Sequence, residues 1–306
     1  MALALLNLAQ DTNLNKHVAI KEYLPIELAV REGDSTVRPF TEDRRDQFVW
    51  GLTRFIEEAR TLSALDHPNI VRVHSVFEEN KTAYMVMAYE AGETLAELAK
   101  FGRIDSEAAL LAIANPLIDA LEHMHAVGFV HRDIKPANIV VRPDGNPVLL
   151  DFGSARLALG GETRTLTSVV SAGYAPYEQY HGERGTQGPW TDLYGLGATL
   201  YAAINAGRGP LDAIVRGKAR LEGTPDPMES AVSLGAGRYS QELLKAIDAA
   251  LRLMPAERPQ TTAEFRALMS NEGETPSLSQ PDNAPTVVGR CLQRRYRHRN
   301  PRSLNP

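Results

Sequence analysis

Residues 131 to 138 read HRDIKPAN, and residues 151 to 153 read DFG. The first stretch packs an imidazole (His131), two cations (Arg132, Lys135), a carboxylate (Asp133) and an amide (Asn138) into eight residues, a set suited to a charged ligand. Phosphoryl transfer asks little covalent chemistry of a protein. It needs metal ligands, cations against phosphate oxygens, and a group that orients the attacking hydroxyl. Asp133 can accept the hydroxyl proton, Lys135 can reach the transferred phosphate, and Asn138 can offer an amide oxygen to Mg²⁺. Asp151, thirteen residues after Asn138, can supply the hard carboxylate oxygen that Mg²⁺ prefers. Taken alone, Asp-Phe-Gly reads as a turn and His131 as a satisfied structural histidine; the joint spacing carries the functional reading.

Two strand-like runs, NIVV and PVLLDF, flank RPDGN, where Asp144-Gly145 is a hairpin signal that would fold Asn138 and Asp151 together. Further upstream, short β-like runs (HVAIKEYL, IVRVHSVFE, TAYMVMAYE) surround one long helical pattern, DQFVWGLTRFIEEARTLSAL. Lys21 lies on the first of these strands and Glu58 on the helix; together they can hold the α and β phosphates of a nucleotide. Leu5 to Ala9 is expected to pair with His17 to Tyr23 through the turn DTNLN. After Gly92 the pattern becomes helical: DSEAALLAIANPLIDALEHMHAVG starts on an Asp-Ser cap and stops at Gly128, and WTDLYGLGATLYAAINAG, SQELLKAIDAALRL and TAEFRALMS follow.

These motifs resemble the protein kinases, and their wording is closest to bacterial kinases of the eukaryotic serine/threonine type. The resemblance runs from about Leu8 to Met269 and implies an α+β, two-lobed fold: a small β-rich N-lobe with one long helix and a larger, mainly helical C-lobe. It places the kinase domain at 1–270, with N-lobe 1–87, hinge 88–91 and C-lobe 92–270. It also implies ATP and Mg²⁺ as cofactors and protein serine or threonine hydroxyls as acceptors. VAIK matches the ATP-anchoring strand, Glu58 its helical partner, and MVMAYE the strand into the hinge. Met87 then stands as gatekeeper, the backbone of Ala88 and Glu90 meets adenine, and Leu6, Ala19 and Val140 line the nucleotide pocket. Asp192 of TDLYGLG would brace the catalytic loop, and Arg258 of PAERP would pair with Glu178. Ser171 and Tyr174 resemble the peptide-docking loop. Arg132, directly before Asp133, can pair with a phosphate on the activation segment, where Thr163, Thr165, Thr167 and Ser168 are candidates.

The sequence departs from the family twice. GYAPYEQ puts Pro176 one place early and Tyr177 at the usual proline site, while Glu178 keeps its place. The glycine-rich loop should fall at or before residues 1 to 4, yet the sequence reads MALALLNLA, with no glycine before Gly33. The first strand and the loop are therefore expected to be missing, leaving an exposed sheet edge and a weakened transfer rate. That departure keeps an alternative in view, a kinase-fold pseudoenzyme acting as a binding or regulatory module. A third reading, a small-molecule phosphotransferase, is disfavoured by SAGYAPYEQ.

The whole chain of 306 residues carries a net charge of −5, but its distribution is uneven. Between Gly289 and Pro306 lie six arginines and no acid, so the preceding body stands at −11. Residues 271–306 are expected to be a disordered basic tail that offers contact to acidic partners, with no specific nucleic-acid role. No apolar run is long enough for a membrane span, and the single Cys291 suits a reducing compartment, so a cytoplasmic location is expected.

Overall fold

The computed structural model describes residues 4–151, 171–181 and 187–270. They belong to one compact unit that runs to Gly273. Phe152, Gly153, the candidates Thr163, Thr165, Thr167 and Ser168, and the basic tail lie outside the described residues.

Strands β1 (Ala4–Asp11) and β2 (Lys16–Tyr23) form the expected antiparallel hairpin, with Leu5 opposite Glu22 and Ala9 opposite Val18. Its turn is built by Asp11, whose Oδ1 accepts the backbone N–H groups of Asn13 and Leu14 at 3.0 Å. A second small hairpin, β3 (Ala29–Arg31) with β4 (Val37–Pro39), was not anticipated, because three-residue strands are too short to show an alternation.

The long helix α1 (Arg45–Ser63) buries Phe48, Phe55, Ala59 and Leu62, one stripe at i, i+3 and i+4 spacing, against the sheet. Tyr23 meets this stripe with ring centroids 5.2 Å from Phe48 and 5.8 Å from Phe55. Burying a Phe or Leu contributes roughly 1.5–3 kcal/mol each, more than one loosely spaced ion pair on the same helix. Packing therefore sets where α1 sits, and Glu58 is carried to its place by that packing.

Strands β5 (Val73–Glu79) and β6 (Thr82–Ala88) complete a sheet of order β1-β2-β6-β5, with β1 at an edge among the described residues. After β6 the chain turns at Gly92 into β7 (Glu93–Thr94) and α2 (Leu95–Lys100). Gly92 has φ of 154°, and a Cβ there would lie 2.2 Å from the Val141 carbonyl oxygen, so only glycine fits. Helix α3 (Glu107–Ala126) starts on Ser106, whose hydroxyl accepts the Ala109 N–H. Strand β8 (Ile139–Val141) pairs with β7 on one side and β9 (Pro147–Leu149) on the other in a three-stranded sheet.

Helices α4 (Tyr177–His181), α5 (Pro189–Ile204), α6 (Ala213–Leu221), α7 (Ala231–Gly235), α8 (Gln241–Ala250) and α9 (Thr262–Ser270) build the rest. Every residue of α5 from Thr191 to Ile204 is buried, the polar Thr191, Asp192 and Thr199 among a mostly apolar run. One hydrophobic core, from Tyr23 through Leu149 to Phe265, joins the β-rich and helical parts. The architecture is the two-lobed kinase fold that the motifs imply. Among the described residues no helix is long and apolar enough to cross a membrane.

Candidate active site

The segment between α3 and β8 is held from below by Asp192, near the start of α5 and 1% exposed. Its Oδ2 accepts the His131 N–H at 2.8 Å, its Oδ1 accepts the Arg132 N–H at 2.7 Å, and His125 of α3 approaches Oδ2 at 2.8 Å. Gly195, one turn on, lets Ile134 of the loop approach to 3.0 Å of where a Cβ would stand. This anchorage holds Arg132 at φ 70°, a left-handed conformation unusual for a residue with a side chain.

His131 is fully buried. Its Nε2 donates to the Leu150 carbonyl at 3.0 Å and its Nδ1 accepts the Asp133 N–H at 3.2 Å, so both ring nitrogens are engaged in the neutral tautomer. Desolvation pushes its pKa below the ordinary imidazole range, against the pull of Asp192 and Asp133. The ring is a strut between the loop and the residue before Asp151.

Asp133 collects the polar side chains around it. Lys135 Nζ lies 2.9 Å from Asp133 Oδ2 and 3.0 Å from Ser171 Oγ, while Ser171 donates to Asp133 Oδ1 at 2.9 Å. Asn138 Nδ2 donates to Asp133 Oδ2 at 2.8 Å and to the Asp133 carbonyl at 2.9 Å. The Leu150 N–H donates to the Asn138 carbonyl at 2.7 Å, which fastens β9 and Asp151 to the loop.

Lys21 Nζ lies 2.8 Å from Asp151 Oδ1 and 3.9 Å from Glu58 Oε1. Asp151 is half exposed while Glu58 is buried. Leu6 and Met85 lie opposite Lys21, and Met87 opposite Ala19, so these residues share one face of the sheet. Leu6 is 60% exposed on β1, Met87 is buried at the end of β6, and Val140 is buried in β8. Ala88 donates its N–H to the Arg72 carbonyl at 2.8 Å.

On the other side, Arg258 grips Glu178 with two hydrogen bonds, Nη1 to Oε1 at 2.7 Å and Nη2 to Oε2 at 2.9 Å, both side chains being buried. Thr191 adds a third bond to Oε1 at 3.1 Å. Gln179, next to Glu178, donates to the Arg132 carbonyl at 2.8 Å. The structure gathers Lys135, Asn138 and Ser171 at Asp133 and sets Asp192 beneath the loop, while Lys21 pairs with Asp151 and Glu58, and Leu6, Ala19, Met87 and Val140 lie on β1, β2, β6 and β8. Sequence reasoning missed two of their supports, His125 and Gln179. Neither carried a signal: a histidine in the last turn of an amphipathic helix reads as a favourable C-terminal cation.

The sequence pattern of the protein kinase domain matches residues 36–267, more than half of the chain. The chain belongs to the protein kinase family. It is 35% identical over 220 residues to the serine/threonine-protein kinase PknK of Mycobacterium tuberculosis, covering 70% of this chain and 19% of that one. It is 36% identical over 208 residues to the serine/threonine-protein kinase PrkC of Bacillus subtilis, covering 67% of this chain and 28% of that one. The chain thus spans 19% to 28% of the length of these curated relatives. Among solved structures, PpkA-294 in its apo form superposes with a TM-score of 0.75 at 37% identity, covering 88% of this chain and 92% of that one. Rad53 1-466 in complex with AMP-PNP shares the fold, with a TM-score of 0.62 at 22% identity over 88% of this chain and 62% of that one.

Kinases of this family generally use ATP and Mg²⁺, and the donors present here suit that pair. Asn138 and Asp151 offer an amide and a carboxylate oxygen, hard donors of the kind Mg²⁺ takes one or two at a time beside substrate phosphates. No cluster of three or more His, Cys, Asp or Glu able to cage a metal occurs among the described residues. A cavity of about 550 Å³ near Arg216 and another of about 830 Å³ near Phe40 involve none of the residues around Asp133.

Proposed function

We propose that this chain is an ATP- and Mg²⁺-dependent serine/threonine protein kinase. The observation that carries the reading is the Asp133 carboxylate, held by Lys135, Asn138 and Ser171, with Asn138 also reaching the Asp151 carbonyl at 3.4 Å and Asp151 paired with Lys21. The oxygen of a protein serine or threonine attacks the γ-phosphorus of ATP, the bond from that phosphorus to the β–γ bridging oxygen breaks, and ADP leaves. Asp133 orients the acceptor and takes its proton. Lys135, already placed between Asp133 and Ser171, neutralises charge on the transferred group.

Lys21, steered by Glu58, holds the α and β phosphates. Asn138 and Asp151 would hold Mg²⁺, which would supply positive charge to offset that of the phosphates. Ala19, Met87, Val140 and Leu6 form the apolar walls for adenine. Because the Ala88 N–H is already used by Arg72, its carbonyl is the group it offers to the base, together with the Glu90 backbone.

Arg132 supplies a regulatory contact in this reading. Its Nε is buried without a hydrogen-bond partner among the described residues, and burial holds its pKa below the usual guanidinium range. A phosphate on Thr163, Thr165, Thr167 or Ser168 would satisfy that donor. The function is tested by incubating the protein with Mg-ATP labelled at the γ-phosphate and a generic basic protein. Phosphoserine or phosphothreonine in the acceptor is expected. Hydrolysis of ATP with no labelled protein, or no turnover beside normal folding, would reject the assignment.

A further inference from the structure

Arg142 is the first residue after β8 and has no part in the chemistry described above. Its backbone is pinned by the hairpin turn: its N–H donates to the Asn146 carbonyl at 3.0 Å, and its carbonyl accepts the Gly145 N–H at 2.9 Å. From that fixed base the guanidinium reaches two other segments. Nε donates to Glu90 Oε2 at 2.7 Å, and Nη1 donates to the Pro68 carbonyl at 3.0 Å. Glu90 follows β6 in the hinge, and Pro68 lies in the turn after α1. The Glu90 side chain is only 10% exposed and that of Arg142 29%, so the pair is largely shielded from solvent.

The turn at Pro68 is itself stitched to β9. Asn69 Nδ2 donates to the Pro147 carbonyl at 2.7 Å, the Leu149 N–H donates to the Asn69 carbonyl at 2.8 Å, and the Val71 N–H donates to the Leu149 carbonyl at 3.0 Å. Strand β9 continues through Leu150 into Asp151, and β8 starts directly after Asn138. The hinge that would receive adenine and the hairpin that carries both metal-ligand candidates are therefore tied through one guanidinium.

We propose that Arg142 is a positioning residue for the nucleotide: by bridging Glu90 and Pro68 it sets the hinge at a fixed distance from Asn138 and Asp151. The proposal rests on the nucleotide reading of this site. A lysine at this position carries a single ammonium in place of the two-armed fork, so it holds one of the two partners well and not both. The clamp acts on binding geometry and not on the acceptor hydroxyl. Its loss therefore falls on nucleotide affinity and leaves the chemical step largely alone.

The test is a double-mutant cycle on the full chain with Arg142→Met and Glu90→Gln, read by Mg-ATP affinity in calorimetry and by kcat at saturating ATP. Arg142→Met is expected to weaken Mg-ATP binding about tenfold with kcat within about threefold, and Glu90→Gln on that background adds little, because coupled neighbours are not additive. Arg142→Lys is expected to recover part of the loss. Multiplicative effects of the two changes, or a fall in kcat with affinity intact, would overturn the clamp. If the unaltered protein binds no Mg-ATP, the kinase reading fails instead. Hydrogen exchange then decides the clamp alone: faster exchange of the Val71 and Leu149 amides in Arg142→Met and Arg142→Lys supports it, and unchanged exchange in both overturns it.

Discussion

Lys21 stands between two carboxylates, nearer to Asp151 at 2.8 Å than to Glu58 at 3.9 Å. Bound phosphates would draw the ammonium away from Asp151, whose carboxylate is then left to the metal. Lys21→Met should therefore weaken Mg-ATP binding by roughly one to two orders of magnitude, the cost of a lost charge-assisted contact, while leaving the unfolding midpoint within a few degrees. Titration calorimetry beside thermal unfolding checks both halves. His131 gives a second expectation. Its pKa is lowered in the fold by desolvation, so as pH falls the unfolded chain binds the proton first. Its contribution to stability is complete above an unfolded-state pKa of about 6.5 and is lost as pH drops below it, with a limiting slope of about 1.4 kcal/mol per pH unit for one such group. Replacing His131 with Phe should lower stability at pH 8 and flatten the curve between pH 7 and 5; an unchanged slope in denaturant titrations would place the titrating group elsewhere.

Among the elements, the turn at Gly92 and the Arg258–Glu178 tie are open to test by single changes. Gly92→Ala forces a Cβ to within 2.2 Å of the Val141 carbonyl at φ 154°, and should cost about 2 to 3 kcal/mol in denaturant unfolding. Arg258→Met leaves Glu178 buried and uncompensated; a loss of about 3–5 kcal/mol is expected from the same measurement. The elements differ in how well the sequence displayed them. Helices α1, α3, α5, α8 and α9 and the strands around Lys21 and Met87 were legible because their apolar residues repeat with a clear period. The β3–β4 hairpin, α2 and α7 were not, since three to six residues give too few repeats to separate a helix or strand from a polar loop. The site was legible as a list of side chains at motif spacing. Its supports were not: His125 reaches Asp192 across 67 positions and Arg142 reaches Glu90 across 52, and no local pattern encodes contacts of that separation.

At the scale of the whole molecule, the proposed reading couples the site around Asp133 to the segment before Ser171. In the proposed reading Arg132 Nε, buried without a hydrogen-bond partner among the described residues, would receive a phosphate, and Thr165 and Thr167, six and four residues before Ser171, are the favoured carriers of it. Mass spectrometry after incubation with Mg-ATP should find phosphate between Gly160 and Ser171, and a Thr165→Ala, Thr167→Ala variant should phosphorylate other proteins more slowly. Equal rates with no phosphate in that segment would remove the switch. The central claim is that Asp133 serves the acceptor hydroxyl while Asp151 serves the metal and nucleotide. It is tested most directly by measuring single-turnover phosphoryl transfer and Mg-ATP affinity together for the unaltered chain, Asp133→Asn and Asp151→Asn. The account predicts that Asp133→Asn slows transfer by about 10²- to 10⁴-fold with Mg-ATP affinity nearly intact, and that Asp151→Asn loses both; equal effects of the two changes on Mg-ATP affinity would contradict it.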